Sequence, residues 1–211
     1  MINLYNQDCM IALKNMKDNQ YDLAIVDPPY GGGNNYNFRF SENENKKIYD
    51  NVRPKPEYFK ELFRVSKEQI IWGGNYFTND LPESRGWICW DKKQPLEGTS
   101  FSNFELAWTS FDKIAKMVVL ANAGFNHADK RIRGESTIHP TQKPVSLYEW
   151  QLRNYTKKPI KILDTHLGSG SIAIACHNLG YSLDGYEVDE DYFLKAKKRL
   201  NQHRTQTQLW T

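Results

Sequence analysis

The 211-residue sequence predicts an open α/β fold, a mostly parallel sheet with helices on both faces, on the strength of two observations. Short apolar runs alternate with longer amphipathic stretches, which is the spacing of strand, helix, strand units rather than of hairpins. The most chemically suggestive residues also fall just after apolar runs, where sheets of this kind bind ligands beyond the carboxyl ends of their strands.

In chain order, the apolar runs predict seven strands: Ile2 to Tyr5, Leu23 to Val26, Gln69 to Trp72, Trp87 to Trp90, Phe104 to Trp108, Lys161 to Leu163 and Leu183 to Tyr186. Between and after them, helices are predicted from Cys9 to Asn15, Pro56 to Val65, Val145 to Tyr155, Ser171 to Leu179 and Glu190 to Arg204. The helix from Ser171 carries Ile172, Ala173, Ala175, Cys176 and Leu179 on a broad apolar stripe, and Gly180 follows as its stop. The run from Gly31 to Pro56 is rich in Gly, Asn, Glu and Lys and reads as a long loop, a length usually associated with function. The expectation is one domain over 1–211 with inserted loops at 31–56 and 122–138 and no separate recognition domain.

Bulk properties exclude more than they identify. A net charge of +3 permits contact with a polyanion without requiring it. Cys9, Cys89 and Cys176 are scattered, with no paired spacing for zinc or a disulfide framework, so no metal is expected. No stretch approaches the roughly 20 apolar residues of a membrane span, and the start of the chain lacks a signal-like pattern. A cytoplasmic protein is expected.

Three constellations carry chemistry. In the first, Leu23 to Val26 delivers Asp27-Pro28-Pro29-Tyr30. Two prolines remove two backbone donors and leave rigid carbonyl acceptors beside a carboxylate and a ring. A planar amine fits that nest: Asp27 accepts one N–H, the Pro28 carbonyl the other, and Tyr30 stacks on the base. A strand end with a capping Asp is the plainer alternative. The second runs from Ile162 through Asp164, Thr165, His166, Leu167, Gly168, Ser169, Gly170 and Ser171, with Glu187 ending the following strand. Glycines allow close backbone approach to a nucleoside cofactor, and the acidic residue can accept both ribose hydroxyls. The dinucleotide fingerprint's third glycine is missing, which weighs against NAD. The third is His139-Pro140-Thr141-Gln142-Lys143-Pro144, which by itself could be only a helix start, with Thr141 and Gln142 capping.

Together these residues resemble the DNA amino-methyltransferases of the β arrangement, from about Asn3 to Arg199. The resemblance implies a Rossmann-like S-adenosylmethionine-dependent methyltransferase fold with a circularly permuted motif order, the amine motif preceding the cofactor loop. It further implies S-adenosylmethionine as cofactor, DNA as partner and a possible homodimer. Asp27, Pro28, Pro29 and Tyr30 would be catalytic, with Asp27 also beside the cofactor. Asp8 and the Cys9 backbone would meet the cofactor's adenine, and Glu187 its ribose. Asp164, His166, Gly168, Ser169, Gly170 and Ser171 form the cofactor loop, while Thr141 and Lys143 line the other side of the methionine pocket. The loop departs from the family's usual pattern at Thr165, His166 and Ser171. Asp at the head of the motif favours N6 of adenine over N4 of cytosine by family tendency. RNA and glutamine-amide methylation, and a catalytically silent nucleic-acid-binding partner, are the competing readings. DNA contact is expected from Tyr36, Phe38, Arg39, Phe40, Lys46, Lys47, Arg53 and Lys55, and from Lys130, Arg131 and Arg133.

Overall fold

The computed structural model describes residues 1–31, 52–93, 102–121, 138–139, 141–157 and 160–208. Most of the predicted loop residues, 32–51 and 122–137, lie outside the described residues.

Among the described residues, eight strands form a single sheet in the order β1-β8-β7-β2-β3-β5-β4-β6. They are β1 (Ile2–Asn6), β2 (Tyr21–Val26), β3 (Ser66–Trp72), β4 (Trp87–Asp91), β5 (Phe104–Thr109), β6 (Lys116–Val119), β7 (Lys161–Asp164) and β8 (Ser182–Glu187). All neighbours pair in parallel except around β5, which runs antiparallel to both β3 and β4. The mostly parallel α/β expectation stands, but its count of seven strands is corrected to eight. The missed strand, β6, is four residues long with Met117 and Val119 exposed at the sheet edge, so it carries no buried run to read.

The described helices are α1 (Cys9–Lys14), α2 (Pro56–Val65), α3 (Val145–Tyr155), α4 (Ser171–Leu179) and α5 (Glu190–Gln208). Helix α1 starts where Asp8 Oδ1 accepts the backbone N–H groups of Met10 (2.7 Å) and Ile11 (3.3 Å). Helix α4 ends as predicted, with Gly180 in the left-handed region at φ 67°.

The strands alternate their side chains between two cores. Leu23, Ile25, Ile70 and Trp72 pack with α3 and α4 through Leu147, Leu152, Ile172 and Ala175. Ala24, Val26 and Ile71 face the other way, onto Leu13 of α1 and Phe59 and Leu62 of α2. Each fully buried aliphatic side chain stabilises by roughly 1.5–3 kcal/mol, so the sheet is clamped from both sides. From β2 the chain proceeds to β3 on one side, while from β7 it proceeds to β8 on the other. The crevice between the ends of β2 and β7 is therefore the switch point at which such sheets bind ligands. Among the described residues, no helix is long and apolar enough to cross a membrane.

Candidate active site at the ends of β2 and β7

Strand β2 ends at Val26, and Asp27-Pro28-Pro29-Tyr30 follows at once. Tyr30 turns back so that its hydroxyl donates to Asp27 Oδ1 at 2.7 Å. The ring lies stacked on Tyr76 (centroids 5.0 Å apart, 15° between planes). Gly73, at φ +69°, lets the chain pass the ring's edge, because a Cβ there would sit 2.1 Å from Tyr30 Cε1.

The second Asp27 oxygen, Oδ2, accepts from the Lys143 ammonium. Lys143 is almost fully buried and also pairs with Glu105 Oε2 at 3.1 Å, while Glu105 Oε1 meets Lys92 Nζ at 2.5 Å. Four groups of alternating sign thus form a row behind the motif, with Lys143 its most buried member: Asp27, Lys143, Glu105, Lys92. Burial by itself pulls the Lys143 pKa down, but the Asp27 and Glu105 charges outweigh it and the net direction is up. Burial works to raise Glu105, yet Lys143 and Lys92 hold it down to about 2. Both groups are ionised at neutral pH. Burial and the neighbouring Asp27 and Glu105 charges push the Tyr30 phenol well up, so it stays a neutral donor.

Strand β7, the neighbour of β2, ends in Asp164 and opens the glycine loop. Gly168 and Gly170 adopt φ of +50° and +71°. The Gly168 N–H donates to Glu187 Oε2 (2.8 Å) and that of Asp189 to Glu187 Oε1 (2.9 Å), tying the loop to the end of β8. Arg199, from α5, donates to the Ser169 carbonyl (3.0 Å) and to Ser171 Oγ (2.9 Å). Asp164 Oδ1 accepts the His166 backbone N–H, but burial, aided by the Asp27 and Glu187 charges, still pushes the carboxyl up to about 8. His166 is half-buried beside Tyr58, and desolvation lowers it to about 4, leaving the imidazole neutral. The Thr165 hydroxyl shares a 2.6 Å hydrogen bond with Tyr58.

The structure thus brings Asp27, Tyr30, Lys143 and Asp164 to one crevice, with the glycine loop and Glu187 beside it. Asp8 and Cys9 stand at the start of α1, after β1, whose last residue Asn6 pairs with Glu187. Asp8 serves as the α1 cap, and burial pushes the Cys9 thiol up to about 12, which makes it inert as a nucleophile. Thr141 contacts His139 Nδ1 (3.1 Å) and Gln142 accepts the Ile138 N–H, so neither caps α3, whose N-cap is Pro144. Of the residues expected to touch DNA, only Arg53 and Lys55 are described; Arg53 pairs with Asp80 at 2.9 Å over the Phe77 ring, and Lys55 precedes α2. Sequence reading missed Lys92, Glu105, Tyr76 and Arg199. The usable signal for two of them was a charge beside otherwise apolar runs, in Trp90-Asp91-Lys92 and Phe104-Glu105-Leu106.

With this geometry in view, the chain was compared with known proteins. A family model for N6/N4 methyltransferases, described as DNA methylase, matches residues 90–198. The type II methyltransferase M.HpaI of Haemophilus parainfluenzae is 25% identical over 224 residues, spanning 90% of this chain and 71% of that protein. M2.DpnII of Streptococcus pneumoniae, also a type II methyltransferase, is 26% identical over 93% of this chain and 88% of its own length. The crystal structure of the M1.HpyAVI–SAM complex has the same fold, with a TM-score of 0.64 at 22% identity, covering 95% of this chain and all of that one. The chain belongs to the N6/N4 DNA methylase family, the S-adenosylmethionine-dependent amino-methyltransferases of DNA.

Proposed function

We infer that this protein methylates N6 of adenine in DNA by direct transfer to a flipped base, with Asp27, Pro28, Pro29 and Tyr30 holding the target amine. The observation that carries the reading is the position of that motif at the end of β2, next to the glycine loop that leaves the adjacent strand β7.

The residues at the loop fit the cofactor chemically. Two left-handed glycines and an α4 start without a side-chain cap leave backbone open to a ligand; the Asp8 and Glu187 carboxylates supply acceptors for an amine and a diol, and the Asp164 carboxyl one for a cation, whose binding would ionise it. Asp8, Cys9, Glu187, Asp164, His166, Gly168, Ser169, Gly170 and Ser171, with Asp27, Thr141 and Lys143, are the proposed cofactor-binding residues. Bound there, S-adenosylmethionine supplies an electrophilic methyl group.

The protein's own part is positioning. Each Asp27 oxygen already takes one donor, Tyr30 on Oδ1 and Lys143 on Oδ2, and each retains a lone pair for an amine N–H. The Pro28 carbonyl accepts the other amine hydrogen. These bonds localise the nitrogen lone pair away from the ring, toward the methyl donor. The nitrogen forms its new N–C bond as the donor's S–C bond would break to leave a neutral thioether, and one amine proton is released to solvent, so the charge balances. Tyr30, backed by Tyr76, forms a rigid wall that offsets part of the few kcal/mol of base flipping. Asp at the motif's head supports adenine over cytosine. The reading includes a single domain, DNA contact through loops 31–56 and 122–138, and a homodimer on DNA, which sedimentation of the DNA complex tests; a monomer alone would remove the dimer.

The test is transfer of labelled methyl from S-adenosylmethionine to unmethylated DNA, with mass spectrometry of the nucleosides. N6-methyladenine is expected, falling at least about a hundredfold in Asp27→Ala. N4-methylcytosine in its place would overturn the choice of base, and methylated RNA with unmodified DNA would overturn the substrate.

A further inference from the structure

The proposed amine nest has a buried lysine on its carboxylate, and that arrangement poses a chemical problem. A lysine whose only partner was Asp27 would neutralise the acceptor that the amine needs. Lys143 has two carboxylate partners, Asp27 after β2 and Glu105 on β5 at 3.1 Å, and it also donates to the Tyr30 hydroxyl at 3.3 Å. Glu105 is in turn bound by Lys92, just after β4, at 2.5 Å. The charged side chains Asp27, Lys143, Glu105 and Lys92 sum to zero. Glu105 also lies 3.4 Å from the Tyr30 hydroxyl, and the Lys143 ammonium sits 5.2 Å above the Trp72 ring.

Resting on the function proposed above, we propose that Glu105 is a positioning residue: it keeps Lys143 charged, so that the ammonium still anchors Asp27 Oδ2, and it shares that ammonium, so that Asp27 keeps acceptor strength for the target amine. Lys92 holds Glu105 in place from behind. Glu105 touches neither the base nor the cofactor in this scheme and acts through Lys143. The groups that face Lys143 are Asp27 and Tyr30 from the motif, Glu105 from β5 and Asp164 from β7, with Lys92 behind Glu105 and Tyr148 of α3 near Asp27 and Glu105. Of the carboxylates among them, Asp27 and Glu105 pair with the lysine directly. Glu105→Gln therefore removes one of its two counter-charges while preserving shape and a hydrogen-bonding group. The lysine then gives up its proton more easily, and while charged it is drawn wholly onto Asp27.

Two readouts test this. The first is the titration of Lys143 in the free protein, followed by carbon-detected NMR of the lysine Cε and assigned with Lys143→Met. Glu105→Gln is expected to lower the midpoint by one pH unit or more, and Lys92→Met, which leaves Glu105 in place, to raise it or leave it unmoved. The second is kinetics. In Glu105→Gln, kcat is expected to fall at least tenfold with the KM for S-adenosylmethionine changed less than twofold, and a new alkaline fall in kcat should follow the lowered lysine midpoint. An unchanged titration, or an unchanged kcat and pH profile in a folded Glu105→Gln protein, overturns the positioning role. If the wild-type protein methylates no base, the functional reading fails, while the titration still decides whether Glu105 controls the charge on Lys143. Should Glu105→Gln not fold, Glu105→Asp, which keeps the charge and shortens the reach, carries the same kinetic test: partial activity without the alkaline fall is expected, and activity equal to wild type overturns the need for contact.

Discussion

Asp164 shows how burial, more than any neighbouring charge, can set the proton affinity of a carboxyl group. It is buried, with a single backbone N–H as its described hydrogen-bond donor, and is pushed up to about 8. Its folded pKa lies above the ordinary carboxyl value, so the folded protein holds this proton more tightly than the unfolded chain does. Stability from Asp164 is therefore full below the unfolded value near 4 and is lost as pH rises toward about 8, at up to about 1.4 kcal/mol per pH unit. Asp164→Asn keeps an oxygen for the His166 N–H and abolishes the titration. Chemical denaturation at pH 5 and pH 8 is expected to show the variant gaining on wild type at the higher pH; parallel curves would mean that Asp164 is ionised at neutral pH in the folded protein. His166 opposes this trend in a lower window. Its depressed pKa of about 4 means that stability present above pH 6.5 is lost as pH falls toward 4.

At the scale of elements, the turn between β3 and the Gly74–Tyr76 3-10 turn sets the wall of the site. Trp72 ends β3 in the core, Gly73 reverses the chain in a left-handed conformation, and Tyr76 lands on the Tyr30 ring. Any side chain at position 73 is strained by its φ and also collides with that ring. Gly73→Ala is expected to cost roughly 1–3 kcal/mol of stability and to displace Tyr30, lowering kcat while circular dichroism still reports the fold. Unchanged kcat in a destabilised variant would show that the ring is positioned by Asp27 and Lys143 alone.

For the whole molecule, the relevant fact is that the site is shared between the two halves of one sheet. β2 and its motif come early in the chain, the glycine loop comes late, and a ligand in the crevice between them bridges both. Such a ligand binds the native state alone. At a hundredfold excess over Kd, S-adenosylmethionine should add about 2.7 kcal/mol and raise Tm by roughly 5–10 °C for a domain of this size. Differential scanning fluorimetry reads this directly, and no shift at saturating cofactor would mean that the crevice is not the cofactor site.

Much of the architecture was legible because it is written locally. Short apolar runs marked seven strands, helices α2, α3 and α4 begin and end where the sequence pattern predicts, and Gly180 stops α4 as its left-handed φ requires. The motif residues could be named because their chemistry, two prolines beside a carboxylate or two glycines after a strand, is contained in a few consecutive positions. The edge strand β6 was not legible, since in four residues it buries only Val118, too little to form an apolar run. The network behind Asp27 was hidden for a different reason. Lys143 and Asp27 are 116 residues apart, Tyr30 and Glu105 are 75 apart, and what joins them is the order of strands in the sheet. Periodicity tells which face of a strand is buried, not which strand lies beside it. By itself, therefore, the sequence marked every described element of the sheet and its helices except β6, and singled out the Asp27 motif and the glycine loop as candidates. Only the tertiary structure decided that a buried lysine stands between Asp27 and Glu105, because a charge can be buried only where folding brings it a partner.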